Sequence, residues 1–157
     1  NDILVIISGP EPQRTRFEKM VLDQLEQFNG SAIAVLGKPE LTEEKVNSKG
    51  HRLLPHVSAS DLERLIRFSR LIVSRSGYST IMDLSVLGKQ AVFVPTPGQT
   101  EQEYLALKYD RAKQHRMMQQ KEFDLQTAWE GRGDYSGFEP RDSEQFRVAV
   151  DQLISSL

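Results

Sequence analysis

The sequence predicts an α/β fold, a parallel sheet with helices on both faces, as one domain over residues 1–157. Three observations predict it. Short continuous apolar runs at Ile3–Ile7, Leu71–Val73 and Ala91–Val94 have the composition of strands buried on both sides. Each is followed by a stretch with apolar residues at helical spacing. Strand and helix then alternate along the chain, which implies right-handed crossovers between parallel neighbours.

The elements follow in order. Ile3-Leu4-Val5-Ile6-Ile7 is a first strand ending at the turn Ser8-Gly9-Pro10. Glu11 to Phe28 carries Phe17, Met20, Val21, Leu25 and Phe28, a helical stripe stopped by Asn29-Gly30. Ala32 to Leu36 is a second strand, and the polar stretch 40–50 is a loop. His51 to Pro55 is a third strand, and a helix begins at Ser60-Asp61 and runs to about Phe68. Leu71-Ile72-Val73 is the fourth strand. Its helix carries Ile81, Leu84 and Leu87 and stops at Gly88. Ala91 to Val94 is the fifth strand, followed by a helix from Thr100 to Lys113 and a marginal sixth strand over Arg116 to Gln119. Gly131, Gly133, Gly137 and Pro140 make the region from Trp129 to Pro140 a long loop, and Ser143 to Leu157 is a closing amphipathic helix. The order is that of a Rossmann-like sheet, whose ligands sit beyond the carboxyl ends of the strands.

Composition narrows the function. A chain of 157 residues buries roughly 70% of its unfolded surface in one core. A formal charge of −2 without a basic block gives nucleic acid no electrostatic hold. The absence of cysteine removes disulfides, thiolate catalysis and cysteine metal sites. With no signal peptide, it points to the cytoplasm. His51, His56 and His115 show no metal spacing, so they read as surface or loop residues, and no metal or cofactor is called for. The chain opens Asn1-Asp2 and enters a strand at once, which reads as a domain cut from a longer polypeptide.

Two segments carry candidate chemistry. In Ser74-Arg75-Ser76-Gly77-Tyr78-Ser79-Thr80 a buried strand passes straight into a helix, whose unpaired N–H groups and dipole form an anion seat. Asp83 lies four residues after Ser79 on the same helix face, a carboxylate able to accept hydroxyl hydrogen bonds. In Pro95-Thr96-Pro97-Gly98-Gln99-Thr100-Glu101-Gln102-Glu103-Tyr104, Thr100 and Glu103 have the spacing of a capping box. Gln99 and Gln102 are amides suited to sugar hydroxyls. The first turn, Ser8 to Arg14, lacks G-x-G-x-x-G, its prolines lack N–H groups, and Glu11 would repel a diphosphate. No P-loop motif occurs.

These two segments resemble the C-terminal, donor-binding half of GT-B glycosyltransferases of the MurG type. The matching pieces are Arg75-Ser76-Gly77-Tyr78-Ser79-Thr80, Asp83, Val92-Phe93-Val94-Pro95 and Gln102-Glu103-Tyr104. The resemblance implies a nucleotide-sugar donor, such as the UDP-sugar UDP-GlcNAc, bound for inverting hexosyl transfer. The backbone at Tyr78 and Ser79 would hold the diphosphate, and Asp83 would meet the ribose in place of a glutamate. Gln102 and Glu103 stand where the family has two glutamines facing the sugar, and Val57 would wall the base. The candidate donor-binding set is Ser76, Gly77, Tyr78, Ser79, Thr80, Asp83, Gln99, Thr100, Gln102, Glu103 and Val57. No catalytic residue falls in this chain, because the family's acceptor site and base lie mainly in an N-terminal acceptor domain. That missing half would also make any peripheral contact with the inner face of the membrane. Two alternatives share the donor half. One is a UDP-sugar epimerase or hydrolase. The other is a non-catalytic donor-binding subunit of a two-chain transferase.

Overall fold

The computed structural model describes residues 1–139. Its strands are β1 (Ile3–Ile6), β2 (Ala32–Val35), β3 (Lys45–Val46), β4 (Arg52–Leu54), β5 (Leu71–Ser74), β6 (Ala91–Phe93) and β7 (Arg116–Met117). Its α-helices are α1 (Gln13–Leu25), α2 (Ala59–Phe68), α3 (Tyr78–Leu87), α4 (Thr100–Arg111) and α5 (Leu125–Glu130). The sheet runs β3-β4-β2-β1-β5-β6-β7, parallel throughout except where β3 pairs antiparallel with β4. β1 pairs with β2 on one side and β5 on the other, so the winding reverses between β1 and β5. A crevice opens beyond the carboxyl ends of the strands at such a reversal.

The alternation of side chains along β1 divides the core in two. Ile3, Val5 and Ile7 pack with Phe17, Val21 and Leu25 of α1 and with Leu125 and Ala128 of α5. Leu4 faces the other layer, with Ile66 of α2, Ile81 and Leu84 of α3 and Ala106 of α4. Both faces of the sheet are thus covered, as the continuous apolar runs predict. Gly88, at φ 60°, ends α3 in a left-handed turn that a side chain would strain.

The structure corrects several sequence expectations. The first helix starts at Gln13 and ends at Leu25, inside the predicted span of 11–28. The 40–50 loop contains β3, so the predicted third strand is β4. The long loop from Trp129 is partly helical: α5 runs to Glu130, capped by the Asp124 carboxylate on the Thr127 N–H, and a 3₁₀ turn covers Gly131–Asp134. The predicted closing helix over Ser143 to Leu157 lies outside the described residues.

Two of the three histidines are core residues. His51 is buried, with Nε2 3.2 Å from the Phe28 carbonyl. His115 is fully buried between Phe93, Tyr109 and Phe138, and its Nδ1 accepts the Ala91 N–H at 3.0 Å. That bond puts the ring proton on Nε2, which has no polar partner. Burial lowers the pKa of His115 from 6.5 to about 4.

The unfolded chain therefore takes up a proton here before the folded one does. Stability is complete above pH 6.5 and is lost as the pH falls towards 4, by up to about 1.4 kcal/mol per pH unit. Urea midpoints measured from pH 6.5 down to 5 should fall with that sign, and His115→Gln should flatten the slope. An unchanged slope in the variant would remove His115 as its source.

Candidate functional site

The site is built where the winding reverses. β5 ends at Ser74, and three residues later Gly77 (φ −70°, ψ 148°) is the N-cap of α3. No side chain caps this helix, and nothing stands within 4 Å of where a Cβ on Gly77 would be. The positive end of α3 therefore opens onto free space, with Tyr78 and Ser79 exposed and Thr80 half-buried beside it.

A second helix start lies alongside. The chain leaves β6 through Val94-Pro95-Thr96 and turns at Gly98, where φ is 82° and only glycine is unstrained. Two side chains from the first turn of α4 reach back to hold this loop. Gln102 Oε1 accepts the Thr96 N–H at 2.9 Å, and Glu103 Oε1 accepts the Gly98 N–H at 3.1 Å. The predicted capping box is not formed: the N-cap is Gln99, the Thr100 side chain caps nothing, and Glu103 reaches past both to Gly98. The Gln102 amide also donates to Gln99 Oε1, so both predicted sugar-reading amides are braced against each other. The Ser76 hydroxyl donates to the Gln102 carbonyl at 2.7 Å and ties the two helix starts together.

Beneath both lies Arg75, only 2% exposed. It donates to the carbonyls of Val94 (2.9 Å), Pro95 (3.1 Å) and Gln13 (3.3 Å) and to Gln120 Oε1 (2.7 Å). Its Cζ sits 4.3 Å from the centroid of the Phe17 ring. The first turn closes over it: a Cβ on Gly9 would stand 3.8 Å from Arg75 Nε and 3.3 Å from Thr96 Oγ1. Glu11 is turned to its own helix, where it accepts from Thr15 and pairs with Arg14. The Thr15 bonds and Arg14 hold its carboxyl below the usual range.

Of the predicted residues, Ser76 to Thr80 and Gln99 to Glu103 come together at the two helix starts. Asp83 is exposed one turn along α3 and lines a groove of about 290 Å³ between α2 and α3, with Leu62, Ile66 and Val86. Val57 is not brought beside it; it lines a separate hollow of about 380 Å³ between β4 and α2, with Ile33, Leu54 and Phe68. A larger hollow of about 540 Å³ lies at the opposite edge of the sheet, lined by Gln24, Phe28, Asp124 and Trp129. Sequence reasoning left out Arg75, Gly9 and Thr96. The available signal was an arginine directly after an apolar strand, where a solvated charge would be out of place. Among the described residues no group of three or more His, Asp or Glu could hold a metal ion, and no helix is long and apolar enough to cross a membrane.

Comparison with known proteins gives the family. Residues 5–129 match the model of the glycosyltransferase family 28 C-terminal domain, and the chain belongs to that family. It is 44% identical over 46 residues to a UDP-N-acetylglucosamine--N-acetylmuramyl-(pentapeptide) pyrophosphoryl-undecaprenol N-acetylglucosamine transferase of Methylobacterium radiotolerans. That match covers 29% of this chain and 12% of the relative's length. The crystal structure of Acinetobacter baumannii MurG superposes with a TM-score of 0.63 at 18% identity, over 86% of this chain and 42% of that one. The solution structure of ALG13 superposes with a TM-score of 0.57 at 13% identity, over 91% of this chain and 90% of that one. At these identities the two structures speak for the Rossmann-like fold.

The tie between the helix starts is open to a direct check. Ser76→Ala removes the bond to the Gln102 carbonyl at a buried position and should cost about 1 kcal/mol. Urea unfolding should show a lower midpoint with an unchanged m-value. A midpoint equal to that of the unaltered chain would mean that the bond contributes nothing.

Proposed function

We propose that this domain holds the nucleotide-sugar donor of an inverting glycosyltransferase, with a UDP-sugar such as UDP-GlcNAc as the donor. The observation that carries the reading is the start of α3: a glycine N-cap, no capping side chain and open space above it. A helix end left in that state suits a phosphate, because its N–H groups and dipole favour a negative charge. In this reading the N–H groups around Tyr78 and Ser79 hold the diphosphate, and Asp83 accepts hydrogen bonds from the ribose hydroxyls. The amides of Gln99 and Gln102, with Thr100 and Glu103, face the sugar through the hydrogen-bonding capacity their own bonds leave free. Val57 borders the base only if the groove lined by Asp83 and the hollow at β4 are spanned together.

The chemistry follows from charge. An acceptor hydroxyl attacks the anomeric carbon from the face opposite the diphosphate and inverts it. As the glycosidic bond breaks, negative charge accumulates on the departing diphosphate, and a fixed N–H cradle stabilises it without reorganising. The acceptor site and the base that takes the hydroxyl proton belong to an N-terminal acceptor domain outside this chain, so this domain alone binds the donor without turning it over.

Calorimetric titration with UDP and UDP-GlcNAc tests the reading, and no binding at millimolar ligand would sink it. Asp83→Asn tests the ribose contact. A carboxylate accepting two hydroxyl bonds becomes an amide with one acceptor, and UDP affinity should drop about tenfold to a hundredfold. The melting temperature should barely move, because Asp83 is exposed. Unaltered affinity in the folded variant would take Asp83 out of the site.

A further inference from the structure

Arg75 is a buried cation that the protein leaves electrically unanswered. All four of its acceptors are neutral, three carbonyls and one amide oxygen. No carboxylate pairs with it among the described residues. Burial pushes its pKa down to about 10, so it stays charged at neutral pH. A buried charge without a counter-charge is a cost that folds usually remove by pairing or substitution. Here it is kept at the point where the winding reverses, and its Nε–H is left without a partner. That nitrogen lies 3.8 Å from the Cβ position of Gly9, which is exposed at the end of β1. Thr96 Oγ1, also buried and without a partner, lies 3.3 Å from the same point.

We propose that Arg75 is a positioning residue for the donor's diphosphate. Its uncompensated charge makes the crevice over Gly9 and the start of α3 electropositive, and the incoming diphosphate supplies the missing negative charge. The same guanidinium fixes the seat, because it holds the exit of β6 and the first turn of α1 by their carbonyls. This deepens the nucleotide-sugar reading and rests on it for the identity of the ligand. The Coulomb attraction does not need direct contact, since a buried charge beneath a low-dielectric floor is poorly screened.

The test separates charge from architecture. Gln120→Glu keeps the shape and the bond to Arg75 and places a carboxylate on the guanidinium, at the loss of the 3.2 Å bond that Gln120 Nε2 donates to Gln13 Oε1; the melting temperature checks that the fold is kept. Binding of pyrophosphate, UDP and uridine is measured by calorimetry, with the melting temperature alongside. Pyrophosphate and UDP affinity should fall about tenfold or more in Gln120→Glu, with uridine affinity kept. Gln119→Glu, which adds the same charge at an exposed neighbouring position, should stay within about twofold. Arg75→Lys should melt lower yet retain the preference for UDP over uridine, and Arg75→Gln should lose it.

Equal pyrophosphate affinity in Gln120→Glu and the unaltered chain would overturn the proposal. So would a parallel loss of all three ligands in Arg75→Lys and Arg75→Gln, or no pyrophosphate binding by the unaltered chain. If pyrophosphate binds with the expected dependence on charge but UDP binds no more tightly, the role of Arg75 stands and the nucleotide reading falls.

Discussion

The arrangement of the crevice depends on one guanidinium. Arg75 reaches the exit of β6, the first turn of α1 and the 3₁₀ turn at Gln120–Glu122 at once, and Phe17 fills the space against its plane. Neighbouring parallel strands do not by themselves set how their outgoing loops lie. A planar fork of donors does, because each bond has a fixed direction. Lysine offers one nitrogen and could not reach three carbonyls and an amide from a single buried position. The loops on both sides of the β1/β5 reversal are therefore placed by a side chain that is almost wholly buried.

Above that floor, the sequence gives up local stability in a consistent way. α2 and α5 have capping side chains, Ser58 on the Asp61 N–H and Asp124 on the Thr127 N–H, whereas α3 and α4 have none. α1 also lacks an N-cap bond at Pro12, but Glu11 accepts the Thr15 N–H in its first turn; α3 and α4 have no such substitute, and both start at the crevice. Side chains that could have capped them are used elsewhere: Ser76 ties to the Gln102 carbonyl, and Gln102 and Glu103 hold the loop before α4. Leaving helix ends unsatisfied where a ligand would sit is the local inconsistency expected of a binding site in an otherwise consistent fold.

Most of the fold was legible because its signals are local. The apolar runs of β1, β5 and β6 and the glycine after α3 declare their structure within a few residues. What was not legible is tertiary. β3 is two exposed residues, Lys45 and Val46, that become a strand only because β4 offers an edge. The burial of His51 and His115 depends on aromatic neighbours from distant elements, which no spacing along the chain reveals. In the candidate site the backbone geometry around Gly77 was readable, but the bracing of Gln99 against Gln102 and the separation of Val57 from Asp83 were not. Each depends on how side chains share partners after folding. Nothing within Ser8-Gly9-Pro10 marks Gly9 as lying over a buried cation, because Arg75 reaches it from the end of a strand more than sixty residues away.

In the proposed reading a donor diphosphate occupies the crevice where the winding reverses, over the charge of Arg75. Amide chemical-shift mapping of the labelled chain during titration with UDP tests it most directly. The largest shifts should fall on Gly9, Ser76 to Thr80 and Thr96 to Glu103, with smaller ones near Asp83. Shifts concentrated instead on Gln24 to Gly30 and Asp124 to Trp129, around the hollow at the opposite edge of the sheet, would contradict it.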